Sequence, residues 1–423
     1  MIYDNIIHEL ESRSLISQLI CKQLLINKIS QQYINLYCGF DPTADSLHIG
    51  HLPLLLCLKR FQKIGHNPYV LIGGATALIG DPSFKSKERS LHTIDLVQYW
   101  SEKIAKQITL FLDFHTHNPA VILNNYNWFK KIHLLDFLRD IGKYFSVNQM
   151  INKDAVKQRI QRNDMGISFT EFSYNLLQSY DFAKLNLCYN VELQIGGSDQ
   201  WGNIVSGVDL VRRLNRKQVF GLTIPLITKH DGIKFGKSES KVIWLDPNKS
   251  SPYKFYQFWI NTSDEDVYRF LKIFTYMSID EIDELKNNNC GVNKISPAHY
   301  ILAEKITKLV HGNNAFYSAK RISDNLFANS IDKLLKDDFE QLLLDGIPSI
   351  ELPINTPLQD AVIKANFATS YTQARYIISS NGIAINGNKC NNPNHIFNMY
   401  DVLFDRFSLL KKGKKNYYLI IWK

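Results

Sequence analysis

The fold class follows from the stretch Tyr37-Cys38-Gly39-Phe40-Asp41-Pro42-Thr43-Ala44-Asp45-Ser46-Leu47-His48-Ile49-Gly50-His51. Its first four residues end a short apolar run, which predicts a strand over residues 33–40. The next six residues are typical of a turn, and residues 47–63 have the apolar spacing of a helix that ends before Gly65. A strand that runs through a polar turn into a helix indicates an α/β unit.

Two further apolar runs, residues 69–72 and residues 191–195, each lead into a pair of glycines. Strands that alternate with helices and end in glycines indicate a doubly wound (Rossmann-like) parallel sheet. Ligands in such a sheet bind at the carboxyl ends of the strands. We therefore expect an α/β protein whose functional residues follow these strands.

The remaining segments show other patterns. Residues 6–25 have helical spacing and predict an amphipathic helix, and residues 252–327 are helical throughout. Residues 345–357 contain three prolines and a glycine, which predicts a linker. Beyond this linker the expected elements are two helices and a strand with its turn, at 358–365, 372–380 and 382–387.

Composition and charge limit the class of protein. Hydrophobic residues make up 45% of the 423 residues, an ordinary globular value that excludes a wholly disordered, collagen-like or disulfide-scaffold protein. The 49 Lys and Arg exceed the 40 Asp and Glu and give a net charge of +9. Six of these cations and one acid lie in residues 405–423. Such a basic excess indicates a polyanionic partner, most often nucleic acid.

The sequence predicts no export and no membrane insertion. Charged residues interrupt the first 25 residues, so no signal peptide is expected. No apolar run reaches the length of about 18 residues that a membrane-spanning helix needs. The six cysteines are scattered and form no C-x-x-C pair, which argues against a zinc ribbon and a disulfide framework. We expect a cytoplasmic protein.

The first candidate chemical motif is His48-Ile49-Gly50-His51, at the first turn of a predicted helix. Histidines spaced by three residues share a helix face, and helix-terminal N–H groups favour phosphate. Two imidazole donors there can hold phosphate oxygens, and Gly50 leaves room for a flat base against the backbone. A plain surface or core histidine pair fits the same spacing, and a zinc site is a third, less favoured interpretation.

Two other groups of residues carry a chemical signal. The segment Lys234-Phe235-Gly236-Lys237-Ser238 places two lysines in a small loop, which suits a clamp on a polyphosphate; an ordinary solvated lysine loop has the same composition. Tyr174, Gln178 and Asp181 are spaced to share one helix face. That face is either solvent-exposed or the wall of a polar pocket.

These motifs together resemble those of class I aminoacyl-tRNA synthetases. The surrounding sequence is similar to bacterial tyrosyl-tRNA synthetases over essentially the whole chain, including residues 37–51, 73–83 and 194–203. The second signature has Gly236 where the class pattern K-M-S-K-S has serine, and glycine there is usual in the tyrosyl branch. The segments 370–375 and 382–387 resemble a small RNA-binding fold shared with a ribosomal protein.

The resemblance implies a tyrosine–tRNA ligase, which joins tyrosine to ATP as tyrosyl-adenylate and then transfers it to the 3′ end of tRNA(Tyr). The implied substrates and partners are L-tyrosine, ATP, Mg²⁺ with the ATP, tRNA(Tyr) and a second copy of the chain; no zinc or membrane is expected. Catalysis would rest on positioning and on cations around the departing pyrophosphate. The alternatives are a tryptophan-branch synthetase and a catalytically inactive RNA-binding protein of the same fold.

The resemblance also assigns roles to individual positions. The positions that match the tyrosine pocket are Tyr37 and Asp181 for the phenol, Tyr174, Gln178 and Asp81 for the α-ammonium, and Gln200 near the carboxylate. Those that match the ATP site are Gly39, Asp41, Thr43, His48, Gly50, His51, Gly197, Asp199, Lys234 and Lys237. The expected catalytic residues are His48, His51, Lys234, Lys237 and Ser238. The expected tRNA contacts are Lys85, Arg89, Arg375, Lys411, Lys412, Lys414 and Lys415.

The expected domains follow from the same resemblance. They are a catalytic domain with an inserted dimerisation segment at 1–245, a helical tRNA-arm or anticodon domain at 246–345, a linker at 346–356 and a small α+β RNA-binding module at 357–423.

Overall fold

A computed structural model describes residues 6–83, 91–160, 166–228, 230, 232, 237–238, 241–288, 296–413 and 416–423. These residues form two compact units. The first unit lies within residues 1–242 and 268–288, and the second lies within residues 243–267 and 289–423. No helix among the described residues is both long and apolar enough to span a lipid bilayer.

Helices provide most of the regular structure. The helices are α1 Ile6–Ser12, α2 Lys22–Ile29, α3 Leu52–Lys63, α4 Thr76–Ile79, α5 Ile94–Ile108, α6 Tyr126–Phe129, α7 Leu134–Asp140, α8 Val147–Ile151, α9 Asp154–Ile160, α10 Phe169–Tyr189, α11 Trp201–Leu214, α12 Pro252–Ile260, α13 Asp264–Phe274, α14 Ile279–Asn287, α15 Pro297–Ala328, α16 Lys336–Gln341, α17 Leu358–Lys364 and α18 Tyr371–Ser379. A 3₁₀ turn, Ile49–His51, leads directly into α3.

The strands are β1 Gln18–Leu19, β2 Asn35–Phe40, β3 Asn67–Ile72, β4 Val121–Asn124, β5 Val191–Gly197, β6 Phe220–Ile224, β7 Lys237–Ser238, β8 Lys241–Val242, β9 Ser349–Leu352, β10 Ile383–Ile385, β11 Asn388–Cys390, β12 Phe407–Lys412 and β13 Asn416–Trp422. The first unit contains a six-stranded sheet of order β1-β6-β5-β2-β3-β4, in which only the edge strand β1 is antiparallel. The predicted doubly wound α/β architecture is therefore confirmed.

The strand order fixes where this sheet has a crevice. From β2 the chain winds outward through β3 and β4, and it then returns to place β5 on the other side of β2. The connections that leave β2 and β5 consequently run in opposite directions. Parallel sheets bind ligands at such a switch point, outside the carboxyl ends of the strands. Those ends are Phe40 and Gly197, close to the ends of the strands predicted over residues 33–40 and 191–195.

The helix predicted over residues 6–25 is wrong. Two helices, α1 and α2, flank the short strand β1, and Ser14 and Cys21 break the helical path with φ of 57° and 54°. The apolar spacing is real, because Ile6, Ile7 and Leu10 are buried. However, Gln18–Leu19 pair with Thr223–Leu222 of β6, and that non-local pairing overrides the local helical pattern.

Two buried arginines, one after α1 and one on α3, bind the end of α13 and the residues that follow it. Arg13 donates from Nη1 to the carbonyl of Lys272 at 3.0 Å and from Nη2 to that of Met277 at 2.8 Å. Arg60 donates from Nη2 to the carbonyl of Thr275 at 2.6 Å. The last carbonyls of a helix have no intrahelical donor, so buried cations there satisfy them and oppose the negative end of the helix dipole.

The second unit combines helices α12 and α15 with a five-stranded sheet of order β11-β10-β12-β13-β9. The segment predicted as a linker contributes to this sheet, because β9 pairs in parallel with β13. The prolines at 348 and 353 lie on either side of the strand, where a missing N–H costs little. Proline-rich composition therefore marked the ends of an edge strand here.

His311 is a half-buried titratable residue of the second unit, and its Nε2 atom is fully buried. Its ring packs edge-on against Phe255, with centroids 4.6 Å apart, and its Nε2 has no hydrogen-bond partner among the described residues. Burial lowers the pKa of His311 to about 4. The next residue, Gly312, has φ 83° and marks a kink in α15, which leaves the histidine at a joint between two helical segments.

This histidine predicts acid sensitivity of the fold. An unfolded histidine titrates near 6.5, so the unfolded chain binds a proton that native His311 excludes between about pH 6.5 and pH 4. The free energy of unfolding should therefore fall as the pH falls through that window. His311→Phe should flatten part of this loss in urea unfolding series, and His117→Phe, at an exposed position, should leave the pH dependence as in the wild type. Equal pH slopes for wild type and His311→Phe would contradict the assignment.

Candidate active site

A cavity of about 420 Å³ opens at the carboxyl ends of β2 and β5 in the first unit. All the predicted tyrosine and ATP residues whose side chains or glycine backbone the structure describes line it. They are Tyr37, Gly39, Asp41, Thr43, His48, Gly50, His51, Asp81, Tyr174, Gln178, Asp181, Gly197, Asp199 and Gln200. Residues that lie between positions 37 and 200 of the sequence therefore line the same cavity.

Asp181, on α10, is the most deeply placed carboxylate of the cavity and is almost fully buried. Its Oδ2 accepts a hydrogen bond from Nδ2 of Asn125 at 2.9 Å, and its Oδ1 accepts one from Nε1 of Trp128 at 2.9 Å. Burial raises the pKa of Asp181 well above its ordinary value, and the two donors oppose that rise. Each oxygen keeps a second lone pair, so the carboxylate retains acceptor capacity toward the cavity.

Tyr37 presents a hydroxyl beside that carboxylate. Its ring is buried against Phe182, with centroids 5.3 Å apart, and its hydroxyl has no hydrogen-bond partner among the described residues. Burial, followed by the negative charge of Asp181, raises the pKa of Tyr37 well above 10. The hydroxyl is therefore protonated, and one donor and one acceptor lie side by side at this end of the cavity.

The middle of the cavity is rich in acceptors. The hydroxyl of Tyr174 donates to Oδ2 of Asp41 at 2.7 Å, and Oγ1 of Thr76 donates to Oδ1 of the same carboxylate at 2.7 Å. A Cβ on Gly73 would lie 1.8 Å from that Oδ1, so only glycine fits at this position. Gln178 adds a buried Oε1 with no partner among the described residues.

A second carboxylate, Asp81, is held in place by two donors. Nε2 of Gln200 donates to its Oδ2 at 2.7 Å, and the backbone N–H of Ser83 donates to its Oδ1 at 3.0 Å. Oε1 of Gln200 accepts from Asn203 at 3.2 Å, which orients the amide. Two ordered carboxylates, Asp41 and Asp81, thus face the same cavity and suit a cationic group.

The two histidines of the first motif stack against each other, with ring centroids 3.9 Å apart. Nδ1 of His51 accepts from the backbone N–H of His48 at 3.1 Å, and Nδ1 of His48 accepts from that of Gly50 at 3.1 Å. Because both Nδ1 atoms accept, the proton of each neutral ring lies on Nε2. Burial, and then the neighbouring His48, lowers the pKa of His51 well below its ordinary value. His51 therefore supplies a neutral N–H donor.

Several predicted residues lie outside the described part of the chain. These are Lys85, Arg89, Lys234, Lys414 and Lys415, together with the side chains of Lys237 and Ser238, whose backbone forms β7.

The other predicted tRNA residues lie in the second unit. Arg375 is on α18 and donates to Oε1 of Gln359 at 3.0 Å. Lys411 donates to Oδ1 of Asn329 at 3.0 Å, and Lys412 donates to the carbonyl of Phe367 at 2.5 Å. The two lysines thus form hydrogen bonds inside their own unit.

Comparisons with known proteins agree with this geometry. A family model described as tRNA synthetases class I (W and Y) matches residues 30–328, and one described as Tyrosine--tRNA ligase SYY-like C-terminal domain matches residues 338–420. Relatives named Tyrosine--tRNA ligase from Pectobacterium atrosepticum and Escherichia coli are each 58% identical over 424 residues and cover 100% of both chains.

The chain belongs to the tyrosine–tRNA ligase family. The resemblance predicted from the motifs is thereby confirmed, as is the class of enzyme, an ATP-dependent aminoacyl-tRNA synthetase.

Solved structures support the same fold. A C-terminally truncated mitochondrial tyrosyl-tRNA synthetase of Aspergillus nidulans superposes with a TM-score of 0.68 at 30% identity, covering 77% of this chain and 94% of that one. A tryptophanyl-tRNA synthetase of Encephalitozoon cuniculi matches with a TM-score of 0.52 at 16% identity, covering 79% and 89%. The tryptophan and tyrosine branches therefore share this fold, which cannot by itself tell them apart.

In this member of the tyrosine–tRNA ligase family, sequence reasoning missed residues that support the cavity. Asn125 and Trp128 hold Asp181, and Thr76 holds Asp41. Gln194 of β5 also lines the cavity, and its buried Oε1 has no partner among the described residues. One signal was present: Asn125 follows the apolar run of β4, and polar residues at strand ends collect at the same edge of a parallel sheet.

Lys153 is a second missed residue, and it joins the two helices that border the cavity. It precedes α9 and donates to Oδ1 of Asn175 on α10, to Oγ of Ser206 on α11 and to the carbonyl of Gly202 on α11, the last at 3.0 Å. Burial lowers the pKa of Lys153 to about 7. Asn175 directly follows Tyr174 of the cavity lining, and Gly202 lies two residues after Gln200 of the same lining. This ammonium therefore links two walls of the cavity.

Removal of this ammonium should weaken the first unit. Lys153→Met keeps most of the apolar stem but leaves three acceptors on two helices without their donor, which should lower the free energy of unfolding by about 1–3 kcal/mol. Lys157→Met, at an exposed position on α9, is the matched control and should change stability little. Urea unfolding measures both, and equal stabilities for the two variants would show that Lys153 does not link the helices.

Proposed function

We propose that the chain activates L-tyrosine with ATP to form tyrosyl-adenylate and then transfers tyrosine to the 3′ end of tRNA(Tyr). The observation that carries the choice of amino acid is the pair formed by the Tyr37 hydroxyl and the Asp181 carboxylate in one cavity. A substrate phenol donates to Asp181 and accepts from Tyr37, which satisfies both of its hydrogen-bonding functions. Phenylalanine in the same place would leave the buried Tyr37 hydroxyl without a partner and would not use the remaining acceptor capacity of Asp181.

The rest of the amino acid fits the acceptor-rich middle of the cavity. The α-ammonium is placed among Tyr174, Gln178 and Asp81, and the partnerless Oε1 of Gln178 gives it a direct acceptor. Gln200, whose amide bonds Asp81, lies near the substrate carboxylate. The supporting carboxylate Asp41 adds negative charge where the ammonium sits.

ATP, entering as its Mg²⁺ complex, occupies the part of the cavity between the two strand ends. Gly39, Gly197 and Asp199 are proposed to lie at the ribose, Asp41 and Thr43 beside the nucleotide, and Gly50 against the base. A Cβ on Gly50 would lie 2.8 Å from the ring of His48, so the residue that presents flat backbone to a base must be glycine. Mg²⁺ is held mainly by phosphate oxygens and water.

Catalysis in this proposal is electrostatic. The tyrosine carboxylate attacks the α-phosphate, pyrophosphate leaves, and the tRNA ribose hydroxyl then attacks the adenylate. The Nε2–H groups of His48 and His51 meet charge that develops on the phosphates, since their Nδ1 atoms are already committed to backbone donors. Lys234 and Lys237 are proposed to supply the positive charge around pyrophosphate, and Ser238 is proposed to add a hydroxyl donor.

Recognition of tRNA is proposed to involve Lys85 and Arg89 at the acceptor end and the basic C-terminal module elsewhere. The proposed divisions of the chain are 1–245, 246–345, 346–356 and 357–423, and the last carries nine Lys and Arg against three acids. Such a surplus favours contact with the phosphates of structured RNA. Arg375, Lys411, Lys412, Lys414 and Lys415 belong to it. The enzyme is proposed to act in the cytoplasm, where tRNA is charged.

A homodimer is the proposed assembly. The segment between β3 and β5 exposes large apolar side chains on α7 and its surroundings, with Leu134 70%, Leu135 79% and Phe169 76% exposed. Large exposed apolar groups of this kind mark interaction surfaces. A second copy of the same surface would bury them, as an isologous interface does.

Amino-acid-dependent ATP–pyrophosphate exchange tests the activity. Tyrosine alone among the twenty amino acids should support exchange. Exchange with tryptophan instead would assign the chain to the other branch, and exchange with none would leave an RNA-binding protein. Tyr37→Phe should lower kcat/KM for tyrosine by about 3- to 10-fold, the value of one neutral hydrogen bond. Tyr69→Phe, the partner of Tyr37 in the sheet but outside the cavity lining, is the control and should retain wild-type kinetics.

The assembly has a separate test. Leu134→Glu combined with Leu135→Glu places two charges on the exposed apolar surface and should shift the sedimenting species from twice 48.9 kDa to 48.9 kDa. Leu24→Glu, on α2 at 55% exposure, should leave the mass unchanged. A wild-type chain that sediments at 48.9 kDa would refute the dimer.

A further inference from the structure

A second cavity, of about 440 Å³, lies in the C-terminal part of the second unit. Strands β10 and β11 form one wall, residues 331–332 form another, and the loop from 390 to 403 closes it. Its size falls within the range of small-molecule sites. None of the residues that line it belongs to the predicted tRNA contacts.

The rim of this cavity carries an exposed aromatic ring on a capped turn. Tyr400 is 98% exposed and lies in the 3₁₀ turn Met399–Asp401. Oδ1 of Asn398 accepts the backbone N–H of Tyr400 at 2.9 Å, and Oδ2 of Asp401 accepts that of Asn398 at 3.1 Å. His395 donates to the same Oδ2 at 3.0 Å. This reciprocal capping holds the turn, and the ring is therefore exposed without being on a loose loop.

The base of the cavity is equally well ordered. Asn386 donates to the carbonyl of Asp401 at 2.6 Å and accepts from the backbone of Leu409 at 2.8 Å. Asn329 donates to the carbonyl of Gly387 at 2.6 Å, and a Cβ on Gly387, whose φ is 89°, would lie 3.0 Å from the carbonyl of Asn329. The hairpin turn is thus fixed against residues 329–331, and the walls are formed before any ligand binds.

The chemistry of the walls suits a nucleobase better than a phosphate. Asn388 and Asn391 each offer an amide donor and an amide acceptor, and Asp332 offers a carboxylate, all on exposed side chains at the cavity. A phosphate would meet the negative charge of Asp332, whereas the amino and imino groups of a base would donate to it. Lys389, an exposed residue of the same lining, can meet the phosphate that is attached to such a base.

We propose that this cavity binds one unstacked nucleotide of the tRNA, with its base against the ring of Tyr400 and its polar edge on Asn388, Asn391 and Asp332. Proteins read RNA at unstacked bases by stacking them on aromatic rings and bonding their edges, and this cavity supplies both. The proposal rests on the proposed function, because it requires that the chain bind tRNA. It adds a base-contacting site to a module otherwise argued from its charge.

Aminoacylation of a tRNA(Tyr) transcript tests the site. Tyr400→Ala should raise KM for the transcript by roughly 5- to 150-fold, the effect of losing one stacked base, and Tyr400→Phe should retain wild-type KM because the ring remains. Phe327→Ala removes an aromatic ring of similar exposure, 94%, on α15, and it should have no effect. Wild-type KM for Tyr400→Ala, or an equal rise for Phe327→Ala, would overturn the proposal.

Ultraviolet crosslinking of the same transcript to the full chain gives a readout that does not depend on folding of a variant. Peptide mapping should find one nucleotide attached to the peptide that contains Tyr400, and absence of that crosslink would overturn the proposal whatever the kinetics show. A wild-type chain that charges no tRNA with tyrosine would instead contradict the proposed function. The two outcomes can therefore be told apart.

Discussion

The structure depends on one topological constraint: β2 and β5 are neighbours in the sheet, but the chain leaves them in opposite directions. The two connections cannot fill the space between them, so a crevice remains at the strand ends. Part of the cavity lining follows these two strands directly. Asp41, Thr43 and the two histidines follow β2, whereas Asp199 and Gln200 follow β5. Helix α10, which leads into β5, contributes Tyr174, Gln178 and Asp181 from the side.

The polar groups in this crevice fall into two sets, those with hydrogen-bond partners inside the protein and those without. Some are satisfied internally: Asp181 by Asn125 and Trp128, and Asp41 by Tyr174 and Thr76. Others, the hydroxyl of Tyr37 and the Oε1 atoms of Gln178 and Gln194, are buried with no partner among the described residues. A buried, unpaired polar group costs stability, and such groups collected in one cavity are what a polar substrate satisfies. Selectivity then comes from the penalty that a substrate without the matching group incurs.

The sequence predicted the elements that carry local signals. The strands before Asp41 and Gly73, and the strand that ends at Gly197, lie within two residues of the expected positions, because apolar runs and glycines mark them directly. The helix predicted from residue 47 begins only at Leu52, after a 3₁₀ turn, although its end at Lys63 is as expected. Pairings between distant segments were not predicted. Strand β1 joins β6 across about 200 residues, and β9 joins β13 from within a proline-rich stretch. Neither contact leaves a trace in the local pattern.

The same distinction applies to side chains. Lysine is usually a surface residue, but the ammonium of Lys153 links two helices. Lys411 and Lys412 donate their hydrogen bonds to acceptors in their own unit. A basic stretch therefore overstates the charge that is available to RNA. If Lys411 and Lys412 serve partly as internal donors, phosphate contact falls to the remaining cations, and its contribution weakens as salt rises. A base held by stacking and edge hydrogen bonds has no such counterion term, so a nucleotide at Tyr400 would give the C-terminal module a component of affinity that persists when its electrostatic component is screened.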